Sequence, residues 1–161
     1  MKSKFKTLQE LKSTIEAIRN KGGRVVFTNG CFDLLHAGHV RYLNEAKLIG
    51  DYLIIAINSD KSVRGLKGDK RPIVPEAERA ELLAALEVVD FVTIFDESDP
   101  YYVINELRPD FLVKGGDWGE GEIIGSDIVT ENGGEVIRLP YLEGSSSTNI
   151  VETIIERYCG G

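Results

Sequence analysis

The chain has 161 residues, a hydrophobic fraction of 42% and a formal net charge of −7. This length suits one domain, and the apolar fraction is too high for a disordered chain. The acidic balance excludes a general basic surface for nucleic acid and a polybasic membrane patch, but it allows a local cationic pocket. No apolar run approaches the roughly 20 residues of a membrane-spanning helix, and no signal-peptide stretch follows the basic start. We therefore expect a cytoplasmic protein.

Hydrophobic periodicity predicts strands that alternate with helices along the chain. The predicted helices are 7–21, 40–48, 76–86, 100–107, 124–131 and 147–158, and the predicted strands are 24–28, 51–58, 88–95, 111–114 and 135–139. We interpret residues 59–75 as a polar loop. This order predicts an α/β fold, a Rossmann-like doubly wound five-stranded parallel sheet. The whole chain, 1–161, is predicted to form one domain, with 1–22 as an N-terminal helical extension.

Ligands of open α/β sheets bind at the carboxyl ends of the strands, so the loops there are the candidate site. The first of these loops holds both histidines of the chain, His36 and His39. Two ligands at this spacing are too few for a structural zinc. One exposed histidine and one helix-capping histidine is the simple alternative. The position before a helix, beside Gly38, favours an anion, because helix starts offer free N–H groups and imidazoles can donate to phosphate oxygens.

The stretch Gly30-x-Phe32-Asp33-x-x-His36-x-Gly38-His39 resembles the signature of the cytidylyltransferase-like nucleotidyltransferase superfamily. Ser146-Ser147-Thr148 stands where that superfamily carries a Ser/Thr motif that opens the last helix. Serine and threonine are also preferred N-caps, so capping and phosphate contact stay open for each of them. The resemblance covers about 24–155. It implies the nucleotidyltransferase α/β phosphodiesterase type of fold, nucleotidyl transfer to a phosphorylated acceptor with release of pyrophosphate, and a homodimer.

Several further segments resemble the heptose 1-phosphate adenylyltransferases. They are 29–33, Leu66-Lys67-Gly68, Arg71-Pro72, 113–117 and Glu143-Gly144. In glycerol-phosphate cytidylyltransferases an arginine typically follows the Leu-Pro pair, whereas Tyr141 follows Pro140 here. This departure favours adenine over cytosine.

The resemblance therefore implies transfer of AMP from ATP to heptose 1-phosphate, giving ADP-heptose for lipopolysaccharide core or a related glycan precursor. It further implies that Mg²⁺ enters as the ATP complex without a protein site of its own. A chain of 161 residues is too short to include a sugar kinase, so we expect that kinase on a separate polypeptide upstream. The alternatives are a glycerol-3-phosphate cytidylyltransferase or an FAD-synthetase-like enzyme and, more distantly, a nucleotide-binding module without catalysis.

On this resemblance, the candidate catalytic residues are His36, His39 and Lys67. Lys67 lies in a cationic segment, 64–71. The alternative interpretation of this segment is a solvated, mobile run of charged residues without a binding role. Arg79 resembles a family arginine that reaches the site, but it could instead pair with Glu76 at the surface. The residues expected to bind the nucleotide are Thr28, Asn29, Gly30, Cys31, Phe32, Asp33, Gly38, Arg79, Gly115, Gly116, Asp117, Tyr141, Ser146, Ser147 and Thr148. Cys31 and Cys159 are expected to be unpaired thiols.

Overall fold

Strands and helices alternate along the chain in a computed structural model, which describes residues 4–116, 122–140 and 144–160. The strands are β1 (Val25–Gly30), β2 (Tyr52–Asn58), β3 (Phe91–Phe95), β4 (Phe111–Gly115) and β5 (Glu135–Leu139). The helices are α1 (Leu8–Asn20), α2 (Ala37–Lys47), α3 (Asp60–Lys67), α4 (Glu76–Ala85), α5 (Tyr101–Leu107), α6 (Ser126–Glu131) and α7 (Ser147–Cys159). No helix among these residues is long and apolar enough to span a bilayer.

The five strands form one parallel sheet in the order β3-β2-β1-β4-β5. The chain builds outward from β1 to β3, then crosses back to place β4 on the other side of β1. This reversal opens a crevice between the carboxyl ends of β1 and β4, which is where open α/β sheets bind ligands. The predicted Rossmann-like fold is confirmed.

Both faces of the sheet are covered, which explains the continuous apolar run of β2. Ile54 packs in one cluster with side chains of α1, α5 and α6, whereas Ile55 packs in the other with side chains of α2 and α4. A strand buried on both faces needs apolar residues at every position rather than at alternate ones. The apolar sequence of a central strand therefore follows directly from its place in the sheet.

The first helix belongs to this core. Leu11, Ile15 and Ile18 of α1 are buried in the same cluster as Phe27 of β1. A capping box between Thr7 and Glu10 fixes where the helix begins. The segment predicted as an N-terminal extension thus covers one face of the sheet.

The predicted polar loop at 59–75 is wrong in its first half. Ser59 accepts a hydrogen bond from the Ser62 amide and caps α3, which runs to Lys67 and ends at Gly68 with φ +91°. The helix was missed because Gly65 interrupts it and only Ser62 and Val63 are buried. Elsewhere the boundaries shift by a few residues: β3 begins at Phe91 rather than 88, and α2 begins at Ala37 rather than 40.

Candidate active site

A cavity of about 620 Å³ opens at the carboxyl ends of β1 and β4. It brings together most of the residues predicted from the sequence, although they come from four separate segments of the chain. Those residues are Asn29, Gly30, Cys31, Phe32, Asp33, His36, Gly38, His39, Lys67, Gly115, Ser146, Ser147 and Thr148. The wall also includes Tyr42, Glu45, Arg71, Lys114, Pro140 and Ser145, which the sequence analysis had not assigned to the site.

The two histidines are held in one defined arrangement by backbone amides. His36 is the N-cap of α2, and its Nδ1 accepts from the Gly38 amide at 3.1 Å. Nδ1 of His39 accepts from the His36 amide at 3.3 Å. The rings stack with centroids 3.9 Å apart. Because each Nδ1 uses its lone pair to accept, the proton of each neutral ring must lie on Nε2.

Both imidazoles favour the neutral form in the free protein. Burial lowers the pKa of His36, and burial together with the nearby His36 and Lys67 lowers the pKa of His39 to about 4. Near neutral pH each ring therefore offers one Nε2–H donor at the cavity wall. An oxyanion placed there would accept from two preorganised donors.

The turn that leads into α2 is tightly constrained. Phe32 and Leu34 adopt positive φ angles of 49° and 54°, unusual for residues with side chains. The Phe32 ring lies 5.3 Å from the His39 ring. A Cβ on Gly38 would lie 2.9 Å from Cβ of Ser145, so glycine is what allows α2 and the 144–146 segment to approach.

Asp33 organises another part of the cavity wall. Its carboxylate is buried and accepts from the amides of Ile73 and Val74, each at 2.9 Å, and from Arg71 Nη1 at 2.8 Å. Burial alone would raise the Asp33 pKa, but these hydrogen bonds outweigh it and lower the pKa below its ordinary value. Asp33 therefore acts as an anionic anchor for 71–74.

The Ser/Thr motif joins the first loop directly. Ser146 caps α7 by accepting from the Asn149 amide at 3.0 Å. The hydroxyl of Ser147 donates to the carbonyl oxygen of Asp33. Thr148 is exposed and also lines the cavity. All three residues of the motif line the cavity, and Ser146 also caps the helix.

Three predicted residues lie outside the cavity wall: Thr28, Gly116 and Arg79. Thr28 is buried and its hydroxyl contacts the Tyr42 hydroxyl at 2.7 Å, so it positions Tyr42 of α2. Gly116 turns the chain after β4 with φ +97° and donates its amide to Leu139. Asp117 and Tyr141, also predicted, lie outside the described residues.

Arg79 is fully buried, and the predicted alternative of a surface pair with Glu76 is wrong. Its guanidinium donates to the carbonyl oxygens of Cys31 and Asn58 and pairs with Asp60 at 2.8 Å. Arginine is rarely buried without such partners. Arg79 thus supports the first loop through the carbonyl oxygen of Cys31, and it is not itself part of the cavity wall.

Cys31 and Cys159 are free thiols, as predicted. Burial raises the pKa of Cys31, whose Sγ lies 3.8 Å from Oδ1 of Asn58. A thiol with a raised pKa is a poor nucleophile. Cys31 therefore shapes the cavity as a small, uncharged group.

Lys114 is one of the six wall residues that were not predicted from the sequence. The sequence places a lysine at the carboxyl end of a predicted strand, directly before two glycines, and the structure puts it at the cavity wall. Burial lowers the Lys114 pKa to about 8. Its position was a usable signal, because strand ends of parallel sheets face ligands.

Within residues 4–116, 122–140 and 144–160, no group of three or more His, Cys, Asp or Glu side chains is arranged to hold a metal ion. The cavity wall is instead rich in hydrogen-bond donors and cations. Such a donor set suits phosphate groups.

A parallel sheet with a phosphate-type cavity at its switch point, lined by a histidine pair and a Ser/Thr helix start, defines a nucleotidyltransferase. Residues 27–153 match the cytidylyltransferase-like family, and the chain belongs to that family.

The chain is 52% identical over 156 residues to the bifunctional protein HldE of Trichlorobacter lovleyi, covering 97% of this chain and 32% of that protein. It is 55% identical over 147 residues to the protein of the same name from Hydrogenovibrio crunogenus, covering 91% of this chain and 31% of the relative. The chain thus spans about a third of these relatives. The crystal structure of a lipopolysaccharide core biosynthesis protein from Thermoplasma volcanium matches with a TM-score of 0.62 at 30% identity, covering 77% of this chain and all of that one.

Proposed function

We propose that this protein transfers AMP from ATP to heptose 1-phosphate, forming ADP-heptose and pyrophosphate for lipopolysaccharide core or a related glycan precursor. The histidine pair is the observation that supports the first part of this proposal, the transfer of a nucleotidyl group. Each Nδ1 accepts from a backbone amide, so each Nε2–H remains available as a donor at the cavity wall. The second part, the identity of the acceptor, is supported by the relatives named HldE and by the similar solved structure of a lipopolysaccharide core biosynthesis protein.

In the proposed reaction, a phosphate oxygen of the sugar 1-phosphate attacks the α-phosphorus of ATP. A new phosphorus–oxygen bond forms as the bond between the α-phosphorus and the bridging oxygen of pyrophosphate breaks. The attacking monoester is already an anion, so no strong general base is needed. The protein contributes positioning and charge stabilisation.

His36 and His39 would donate from Nε2 to triphosphate oxygens as charge develops on them. Lys67 would neutralise part of this charge from the end of α3, because it lies close enough to His39 to lower the pKa of that ring. Ser146, Ser147 and Thr148 would border the same phosphates at the start of α7, where a helix favours anions. Mg²⁺ would enter with ATP and offset the charge of the leaving pyrophosphate.

A pyrophosphate-release assay tests this function. ATP and CTP are each offered with heptose 1-phosphate and with glycerol 3-phosphate, and we expect turnover with ATP and heptose 1-phosphate. Turnover with CTP and glycerol 3-phosphate instead would identify a cytidylyltransferase. ATP binding without pyrophosphate release from any pair would identify a nucleotide-binding module.

Two variants locate the chemistry at the histidines. His39→Ala removes the donor, and we expect a loss of turnover on the order of 100-fold or more. His39→Gln retains an N–H donor at the end of the side chain and should recover part of the rate. Near-normal turnover of His39→Ala with unchanged ATP binding would remove His39 from the mechanism.

The acceptor is a sugar phosphate, so a kinase acting on the sugar must precede this step. We place that kinase upstream as a separate activity, and we take a homodimer as the working oligomeric state. Sedimentation equilibrium at several concentrations tests the second of these statements.

A further inference from the structure

Asn29 carries a buried polar atom with no partner. Its Oδ1 lacks a hydrogen bond within the part of the chain that the structure describes, and the residue lines the cavity at the end of β1. Most buried side-chain oxygens in proteins accept at least one hydrogen bond, because desolvation without compensation is costly. An acceptor of this kind at a cavity wall can take a hydrogen bond from a ligand.

Lys114 presents a cation at the end of β4. It is partly buried at the cavity wall, and none of the ion pairs between described residues includes it. Burial disfavours its charged form and lowers its pKa to about 8. A partly buried ammonium without a carboxylate partner is stabilised when an anion binds beside it.

Strand alternation places the two side chains on the same face of the sheet. Phe27 of β1 pairs with Leu112 of β4, and Asn29 and Lys114 each lie two residues further along their strands. Paired positions of parallel strands face the same side of the sheet. Both side chains therefore lie on the face that carries Phe27 and Leu112, at the carboxyl end of the sheet.

The histidines approach the cavity from the opposite face. Thr28 and Val113, the intervening positions of β1 and β4, both contact the Tyr42 hydroxyl of α2, the helix that carries His39. The cavity thus has two sides. The histidine pair and the α7 start border one, and Asn29 with Lys114 border the other.

We propose that Asn29 and Lys114 form the acceptor subsite, where Lys114 binds the phosphate of the acceptor and Oδ1 of Asn29 accepts a hydrogen bond from an acceptor hydroxyl. This inference rests on the proposed nucleotidyl transfer and specifies how its second substrate is recognised. It selects a phosphate ester with a hydroxyl close to the phosphate. A nucleotide triphosphate can be held by the other part of the cavity.

The subsite is tested by two binding measurements on the same protein. Calorimetry measures heptose 1-phosphate binding in the presence of α,β-methylene ATP, which does not release pyrophosphate, and separately measures ATP binding alone. For Lys114→Met we expect acceptor affinity to fall on the order of 10- to 100-fold, with ATP affinity within about twofold of the unmodified protein. Lys114→Arg, which keeps the charge, should lose less. Lys61→Met, an exposed α3 lysine outside the cavity wall, is the matched control.

The role of Asn29 is separated by the choice of acceptor. In the unmodified protein, heptose 1-phosphate should bind more tightly than methyl phosphate, which has no hydroxyl. In Asn29→Ala this preference should shrink toward equality, while methyl phosphate binding stays unchanged. Thermal unfolding of each variant shows whether the fold is retained.

The outcomes decide the subsite independently of the overall function. An unchanged acceptor affinity in Lys114→Met, or an equal loss of ATP affinity, would overturn the subsite even if the unmodified protein turns over. Selective loss of acceptor binding would support it even if no pair of substrates releases pyrophosphate, a result that would remove the proposed function instead.

Discussion

The hydroxyl of Ser147 donates to the carbonyl oxygen of Asp33, 114 residues earlier in the chain. This bond ties the start of α7 to the turn that precedes the histidines. The two sequence motifs are therefore parts of one structure, and displacement of either one moves the other.

Ser147→Ala removes this tie. We expect the free energy of unfolding to fall by about 0.5–1.5 kcal/mol, the usual net value of one hydrogen bond, and turnover to fall further than stability alone explains. Denaturant titration and pyrophosphate release measure the two effects. Thr153→Ala is the matched control, because that hydroxyl bonds only within α7, to the carbonyl oxygen of Asn149. Equal losses of stability and turnover in the two variants would show that the Ser147–Asp33 hydrogen bond has no special role.

His39 makes stability depend on pH. Its pKa is near 4 in the folded protein and about 6.5 in an unfolded chain, so its contribution is complete above pH 6.5 and is lost as the pH falls toward 4. Between pH 7 and pH 5 we expect the unmodified protein to lose about 2 kcal/mol more of its unfolding free energy than His39→Gln. Denaturant titrations at several pH values check this difference. Parallel curves would show that His39 titrates normally.

Gly38 leaves no space for a side chain. A Cβ there would lie 2.9 Å from Cε1 of His36 and from Cβ of Ser145, so Gly38→Ala must displace the histidine or the segment before α7. We expect destabilisation of about 1–3 kcal/mol and a large loss of turnover. Gly65→Ala is the matched control, because a Cβ in that part of α3 meets no atom within 4 Å and should stabilise the helix by up to about 1 kcal/mol. Unfolding and pyrophosphate release measure both variants.

Arg79→Met removes a buried cation that joins β2, α3 and the first loop. It would leave Asp60 without its ion-pair partner and the carbonyl oxygen of Cys31 without its donor. We expect a loss of about 3–5 kcal/mol in the free energy of unfolding. Arg79→Lys should recover little of this free energy, since an ammonium group cannot reproduce the planar set of N–H donors of the guanidinium. Full recovery in the lysine variant would show that charge alone matters at this position.

The sequence predicted the strands well because two-sided burial leaves an unmistakable apolar run, as in β2. It failed at α3, whose helical pattern is interrupted by Gly65 and whose buried residues are few. The same limit applied to Arg79, because a charged residue is expected at the surface unless its partners are known. Its partners, Asp60 and the carbonyl oxygen of Cys31, come together only in the folded chain.

In the candidate site, too, local features were predicted from the sequence and long-range contacts were not. The histidine pair and the Ser/Thr motif were predicted because each has a local pattern that favours anions and because both resemble the signatures of a known superfamily. Asp33 was predicted as a nucleotide-binding residue, but its hydrogen bonds to Ile73 and Val74 cross 40 and 41 residues of sequence. Contacts of that range depend on strand order, which periodicity alone does not give.

None of the thirteen residues of α7 is buried, although its first turn borders the cavity. Because so little of its surface is buried, we expect α7 to detach from the sheet more readily than the other helices do. If the triphosphate binds at this cavity as proposed, its apparent affinity would scale with the fraction of molecules in which α7 is docked. A substitution far along α7 would then alter ATP affinity without contacting the nucleotide.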